Sequence, residues 1–161
     1  MSAMIYRPPR APDAAPIWRL APQRGGPHHD TGYAYLLLCT HFADTGVVAE
    51  LDGAVVGFAL AYRPPIRPHD TFVSHLGVAD GHDKAELAAR LLDQLVSRQA
   101  CRDSQFLCMT CNLRDLPLQT WFRQFARRRS TRCAIEPCFT STMFPQPHPD
   151  EHLLRVGPLL G

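Results

Sequence analysis

The chain has 161 residues, a formal net charge of +2 and six cysteines. That length suits a single domain, residues 1–161, with a core of useful size. The balanced charge gives no electrostatic case for nucleic acid. No apolar run approaches the roughly 18 residues of a membrane span, and no signal-peptide pattern opens the chain, so a cytoplasmic protein without a membrane partner is expected. In that compartment six cysteines do not make a disulfide framework. Cys108 and Cys111 form a C-x-x-C, and Cys133 and Cys138 a looser pair. Neither has zinc-knuckle pairing, and positions three apart on a strand face opposite sides. Buried or semi-exposed thiols and no metal are expected.

In chain order, residues 4–7 suit an edge strand halted by Pro8-Pro9. Asp13 is placed to cap a short helix in which Pro16 is tolerated in the first turn and Trp18 anchors the core. Residues 23–32 form a Gly-, Pro- and His-rich loop. Asp30 or Thr31 is then expected to cap a helix over 33–42. Residues 46–51 and 54–61 make a hairpin around Asp52-Gly53, a turn pair that favours positive φ. A Pro-rich connection, 62–70, follows.

Thr71-Phe72-Val73-Ser74-His75-Leu76-Gly77-Val78 reads as a strand. A turn through Asp80-Gly81 leads to a helix from Lys84, with Leu87, Ala88, Leu91, Leu92, Leu95 and Val96 on one face. A strand running into a helix N-terminus is a general anion-binding arrangement. Here, however, Asp83-Lys84-Ala85-Glu86 fits a capping box that satisfies the first-turn donors internally. Its two carboxylates would also repel an anion. Residues 105–112 form the next strand. Pro117 opens a helix over 118–128, with Trp121, Phe122 and Phe125 on one face. Arg127-Arg128-Arg129 is its solvated, dipole-favoured end. Strands at 134–139 and 152–156 close the chain, with a turn at 145–149. The fold class is α/β.

Several phrases recur in a family order: Tyr33-Ala34-Tyr35-Leu36-Leu37-Leu38-Cys39, His41-Phe42-Ala43-Asp44-Thr45, Val56-Gly57-Phe58, Tyr62-Arg63-Pro64-Pro65 and Leu154-Arg155-Val156-Gly157-Pro158. In these the chain resembles the acetyl-CoA-dependent N-acetyltransferase (GNAT) superfamily, and within it the L-2,4-diaminobutyrate acetyltransferases of ectoine biosynthesis. The resemblance runs from about Ile5 to Pro158. It implies a mixed, mostly antiparallel sheet flanked by helices, acetyl-CoA as cosubstrate and a homodimer.

The resemblance also implies site residues. The amino-acid substrate would meet Asp30, Tyr33, Tyr35, Ser74, Cys108 and Thr110. Leu76, Gly77, Val78, His82, Asp83, Lys84, Leu87, Ala88, Asp115 and Phe122 would line the coenzyme A site. His75 is the candidate general base, because its unperturbed pKa lies near neutrality. The chain departs from the family at several of these places. The family Trp-Gln becomes Ser74-His75. The Arg/Gln-x-x-Gly-x-Gly/Ala signature becomes His82-Asp83-Lys84-Ala85-Glu86-Leu87-Ala88, without either glycine. The family Glu aligns with Cys108, which no nameable partner activates as a nucleophile. A Tyr that often protonates the leaving thiolate aligns with Phe122. Two functions follow: an N-acetyltransferase acting on a small diamino acid, or a catalytically impaired GNAT-fold relative that binds an amine, an amino acid or a protein partner.

Overall fold

The computed structural model describes residues 2–21 and 32–159. Seven strands form one sheet in the order β1-β2-β3-β4-β5-β7-β6. They are β1 (Ile5–Arg7), β2 (Gly46–Leu51), β3 (Ala54–Tyr62), β4 (Asp70–Val78), β5 (Phe106–Cys111), β6 (Arg132–Phe139) and β7 (Glu151–Gly157). Every pairing is antiparallel except β4 with β5. Among the described residues four helices flank it: α1 (Ala14–Leu20), α2 (Gly32–His41), α3 (Lys84–Ser97) and α4 (Leu116–Arg128).

The β2–β3 hairpin turns through Asp52 at φ 52° and Gly53 at φ 79°, as Asp-Gly predicts. On one face of the sheet, the Leu87, Leu91, Leu92 and Leu95 stripe of α3 packs with Leu118, Phe122 and Phe125 of α4. On the other face, Ile17, Tyr35 and Cys39 of α1 and α2 pack on Val48, Phe58 and Leu60. The helix over 33–42 begins one residue earlier than expected and ends one residue earlier. Arg128 and Arg129 at the end of α4 pair with Asp93 of α3, at 2.5 and 3.4 Å.

Two expectations near the N-terminus are corrected. Trp18 does not anchor the core and is 41 % exposed. The inward stripe of α1 is Ala14, Ile17 and Ala21, which leaves Trp18 outside it. Asp13 makes no side-chain cap to α1, because its own backbone is already helical (φ −76°, ψ −17°). Its buried carboxylate instead accepts two bonds from the Arg7 guanidinium, at 2.7 and 2.8 Å, and one from the Arg10 N–H at 2.7 Å. Arg7 also reaches Glu50 at 2.9 Å, which ties β1 to β2 and α1.

Burial pushes the Asp13 carboxyl up, but the hydrogen bonds from Arg7 and Arg10 outweigh it and hold the group below the usual carboxylate range. A depressed folded-state pKa adds stability that is present above the unfolded-state value. That stability is lost as pH falls through the folded value. Asp13→Asn is therefore expected to cost about 2 kcal/mol at neutral pH, the scale of a charged hydrogen bond lost from a buried site. Urea unfolding at pH 7 and at pH 3 checks this: the difference between variant and parent should narrow at the lower pH, and an equal difference at both would contradict it.

Candidate active site

The site is a wedge where the sheet splits. β4 and β5 pair in parallel only from Asp70↔Phe106 to Phe72↔Cys108. Beyond that point no β4–β5 register continues, although β4 runs on to Val78. A bulge in β4 lies at the parting. Leu60 pairs with His75 and Ala61 with Val73, so Ser74 is the extra residue. Bulges bend the strand that carries them, and this one turns β4 from its neighbour.

Backbone polarity inside the wedge follows from the β3–β4 ladder. The Ala79 N–H donates to Val56 at 2.8 Å, and Gly77 and His75 hold the matching positions opposite Phe58 and Leu60. Alternation then directs the N–H and C=O groups of Leu76 and Val78 away from β3, toward the gap. Those groups border a cleft of about 570 Å³. Leu76, Gly77 and Val78 form one wall, and Asn112, Asp115, Pro117 and Trp121 form the other. Arg19, Lys84 and Arg114 sit at its rim with Asp80. Lys84 pairs with Asp80 at 2.6 Å.

The turn into α3 differs from the expected capping box in one half. Asp83 accepts from the Glu86 N–H at 3.1 Å, as predicted. Glu86 does not reach back to Asp83. Its carboxylate pairs with Arg90 at 2.8 Å, one helical turn ahead. The Leu87 N–H bonds the Asp83 carbonyl at 3.0 Å, while the Lys84 and Ala85 N–H groups meet no acceptor among the described residues. Asp83 and Glu86 border a separate groove with Arg127 and Arg128, so the carboxylate at the cleft rim is Asp80 instead.

Leu76, Gly77, Val78, Lys84 and Asp115 of the expected coenzyme A set line the cleft. Asp115 also caps α4, accepting from the Leu118 N–H at 3.2 Å. Half-buried His82 and exposed Asp83 are outside its lining. The side chains of Leu87, Ala88 and Phe122 lie buried in the core under the sheet. Phe122 lies on the α4 stripe Leu118-Phe122-Phe125-Ala126, and the aromatic that reaches the cleft is its neighbour Trp121. Arg19, Asn112, Arg114 and Trp121 were missed by sequence reasoning.

On the other face of β4, His75 is half-buried with its ring centroid 4.8 Å from that of Tyr35. Its Nδ1 lies 3.0 Å from the Ser74 hydroxyl, which donates to the Leu60 carbonyl at 3.1 Å. Tyr35 is fully buried, whereas Tyr33 is 66 % exposed on the outer side of α2. The two tyrosines therefore do not share a face. Thr110 is half-buried on β5. Asp30 lies outside the described residues.

Cys108 is buried with its Sγ 3.8 Å from Asp70, and Asp70 accepts from Arg155 at 3.2 Å. The Arg155 guanidinium lies 3.5 Å from the centroid of the Phe106 ring. Burial, reinforced by the Asp70 carboxylate, pushes the Cys108 thiol up to about 12. A thiol with that pKa carries almost no thiolate at neutral pH. Iodoacetamide at pH 8 should accordingly label half-buried Cys138 well before Cys108 in the folded protein, as read by peptide mass mapping. Rapid labelling of Cys108 would contradict its burial. All six cysteines are free thiols, and among the described residues no group of three His, Cys, Asp or Glu side chains is placed to hold a metal ion.

Comparison with known proteins matches residues 14–124 to the acetyltransferase (GNAT) family. An L-2,4-diaminobutyric acid acetyltransferase from Shouchella clausii is 33 % identical over 152 residues, covering 94 % of this chain and 85 % of that protein. Its counterpart from Bordetella parapertussis is 37 % identical over 164 residues, covering 98 % and 87 %. Among solved structures, the diaminobutyrate acetyltransferase EctA from Paenibacillus lautus, in complex with its substrate L-2,4-diaminobutyric acid and coenzyme A, superposes with a TM-score of 0.90 at 30 % identity. That match covers 100 % of this chain and 98 % of the other. With the split sheet and its cleft, these likenesses show that the chain belongs to the acetyltransferase (GNAT) family and groups within it with the L-2,4-diaminobutyric acid acetyltransferases.

Proposed function

We propose that this protein is an acetyl-CoA-dependent N-acetyltransferase that acts on L-2,4-diaminobutyrate or a close diamino acid, in ectoine-type biosynthesis. The observation that carries the proposal is the cleft between β4 and β5, with the backbone groups of Leu76 and Val78 turned into it. It fits a long, amide-bearing, anionic cosubstrate. Leu76 and Val78 offer the donors and acceptors that a pantetheine arm needs, and Trp121 offers an apolar wall. Arg19 and Arg114 at the rim have no ion-pair partner among the described residues, and they add positive charge where the two glycines of the family turn are missing. The Lys84 and Ala85 N–H groups supply the remaining donors at the α3 N-terminus.

When bound, acetyl-CoA supplies the activated acetyl group. The Leu76 and Val78 N–H groups are assigned to the thioester oxygen, where donors act most strongly as negative charge develops. His75 is assigned to take the proton from the substrate ammonium. Its place at the β4 bulge, where the sheet opens, supports that role. Ser74 and Thr110 are assigned to the acceptor side of the site, with Asp30 and Tyr33 as expected contacts whose role is carried by the resemblance. Tyr35 acts through its ring contact with His75.

A homodimer goes with this reading. α2 is apolar on both sides, leaving Tyr33, Leu36 and Leu37 66 %, 44 % and 36 % exposed on its outer face. No described helix is long and apolar enough to cross a membrane, and six free thiols are in keeping with a cytoplasmic protein.

Isothermal titration with acetyl-CoA, followed by an acetylation assay on L-2,4-diaminobutyrate, tests the proposal. Micromolar binding that weakens with added salt is expected, because part of the attraction is ionic. Acetylated diamino acid should appear in the assay. A folded protein that binds no acetyl-CoA would overturn the assignment.

A further inference from the structure

We propose that Ser74 is a positioning residue that fixes the tautomer of His75, so that Nε2 is the basic nitrogen of the ring. The Ser74 hydroxyl has one proton to give. A carbonyl oxygen only accepts, so the contact from Ser74 Oγ to Leu60 O, at 3.1 Å, uses the single hydroxyl proton. His75 Nδ1 lies 3.0 Å from that same hydroxyl oxygen. With its proton committed to Leu60, the hydroxyl accepts, and Nδ1 must be the donor. A neutral imidazole holding its proton on Nδ1 has its basic lone pair on Nε2.

The bulge supplies the geometry. Adjacent residues on a regular strand point to opposite faces and cannot bond side chain to side chain in this way. Ser74 is the extra residue of β4, between the pairs Leu60↔His75 and Ala61↔Val73. It can therefore bond back to Leu60 and forward to His75 at once. One irregularity thus parts β4 from β5 and sets the proton on the ring beside the parting. The catalytic consequence rests on the acetyltransferase function proposed above. In the proton transfer, an N–H bond of the substrate ammonium breaks and an Nε2–H bond forms. The amine keeps the electron pair, and the imidazolium keeps its Nδ1–H bond to Ser74.

The experiment is 15N NMR of histidine-labelled protein at a pH where His75 is neutral, with His75→Gln to assign its signals. The parent should show Nδ1 protonated and Nε2 unprotonated. In Ser74→Ala the population should shift toward Nε2–H, the tautomer that imidazole prefers in water, and in Ser74→Thr the parental pattern should return. In turnover assays Ser74→Ala should lose about tenfold in kcat with the KM for acetyl-CoA nearly unchanged, a part of the roughly 10²- to 10⁴-fold that a positioned general base contributes, and Ser74→Thr should recover most of it. An Nε2–H signal in the parent, or a Ser74→Ala spectrum like the parent's, overturns the tautomer assignment whatever the activity. A shifted spectrum with unchanged kcat overturns the positioning role and leaves the acetyltransferase assignment standing. A parent that fails to acetylate any amine removes that assignment and the catalytic role of Ser74 with it.

Discussion

Replacing His75 with alanine is expected to lower kcat by about 10²- to 10⁴-fold, the range that a positioned general base contributes. The KM for acetyl-CoA should change little. His75 belongs to the β4 face packed by α1 and α2, and the cleft assigned to acetyl-CoA is walled by Leu76, Gly77 and Val78 instead. Losing the imidazole removes a proton acceptor without removing a cleft wall. The cavity left against Tyr35 should cost some stability, so the variant's fold has to be checked by its unfolding midpoint. Steady-state kinetics with both substrates varied, beside a direct acetyl-CoA titration, separate the two effects. Added imidazole should restore part of the lost rate by occupying the vacated space. A variant within about threefold of the parent in kcat would assign the proton to water or another group, and would leave His75 a packing partner of Tyr35.

Much of the scaffold was legible from local signals. The strand Asp70–Val78, the cap at Asp83 and the Asp52-Gly53 turn depend on a few neighbouring residues, and each appears where the sequence places it. The two amphipathic helices were equally plain, because their stripes repeat at helical spacing and bury. What local signals do not carry is how one strand parts from another. The bulge at Ser74 exists only in its pairing with β3, and the wedge only in the loss of pairing with β5. Nothing in the order Phe72-Val73-Ser74-His75 announces either.

The cleft rim was illegible for a related reason. Arg19 ends α1 and Arg114 precedes α4, so nothing but the tertiary fold makes them neighbours of Lys84. The half-made capping box shows competition between two local rules. Glu86 can serve the N–H of Asp83 or the guanidinium of Arg90, and the ion pair one turn ahead takes it. Asp13 shows the same kind of competition. A carboxylate that suits a helix cap finds a buried guanidinium instead, and the charged pair prevails.

Phe122→Ala and Trp121→Ala should have opposite signatures, although the two residues are adjacent. Phe122 is fully buried in the core between α3, α4 and the sheet. Its truncation removes a large apolar side chain and leaves a cavity that close packing cannot easily close, at an expected cost of about 3–5 kcal/mol. Trp121 is half-buried and borders the cleft. Its truncation should cost less stability, while acetyl-CoA binding weakens by about tenfold, as expected for losing roughly 1–2 kcal/mol of apolar contact. The sequence places Trp121, Phe122 and Phe125 on one face of α4, whereas the stripe buried in the structure is Leu118, Phe122, Phe125 and Ala126, with Trp121 at its edge. Denaturant unfolding and acetyl-CoA titration of both variants, run in parallel, decide the matter. If Phe122→Ala stays as stable as the parent but loses acetyl-CoA, the site includes Phe122 and the packing argument fails. If Trp121→Ala binds acetyl-CoA like the parent, that wall of the cleft does not touch the cosubstrate, and the pantetheine path must run closer to β4.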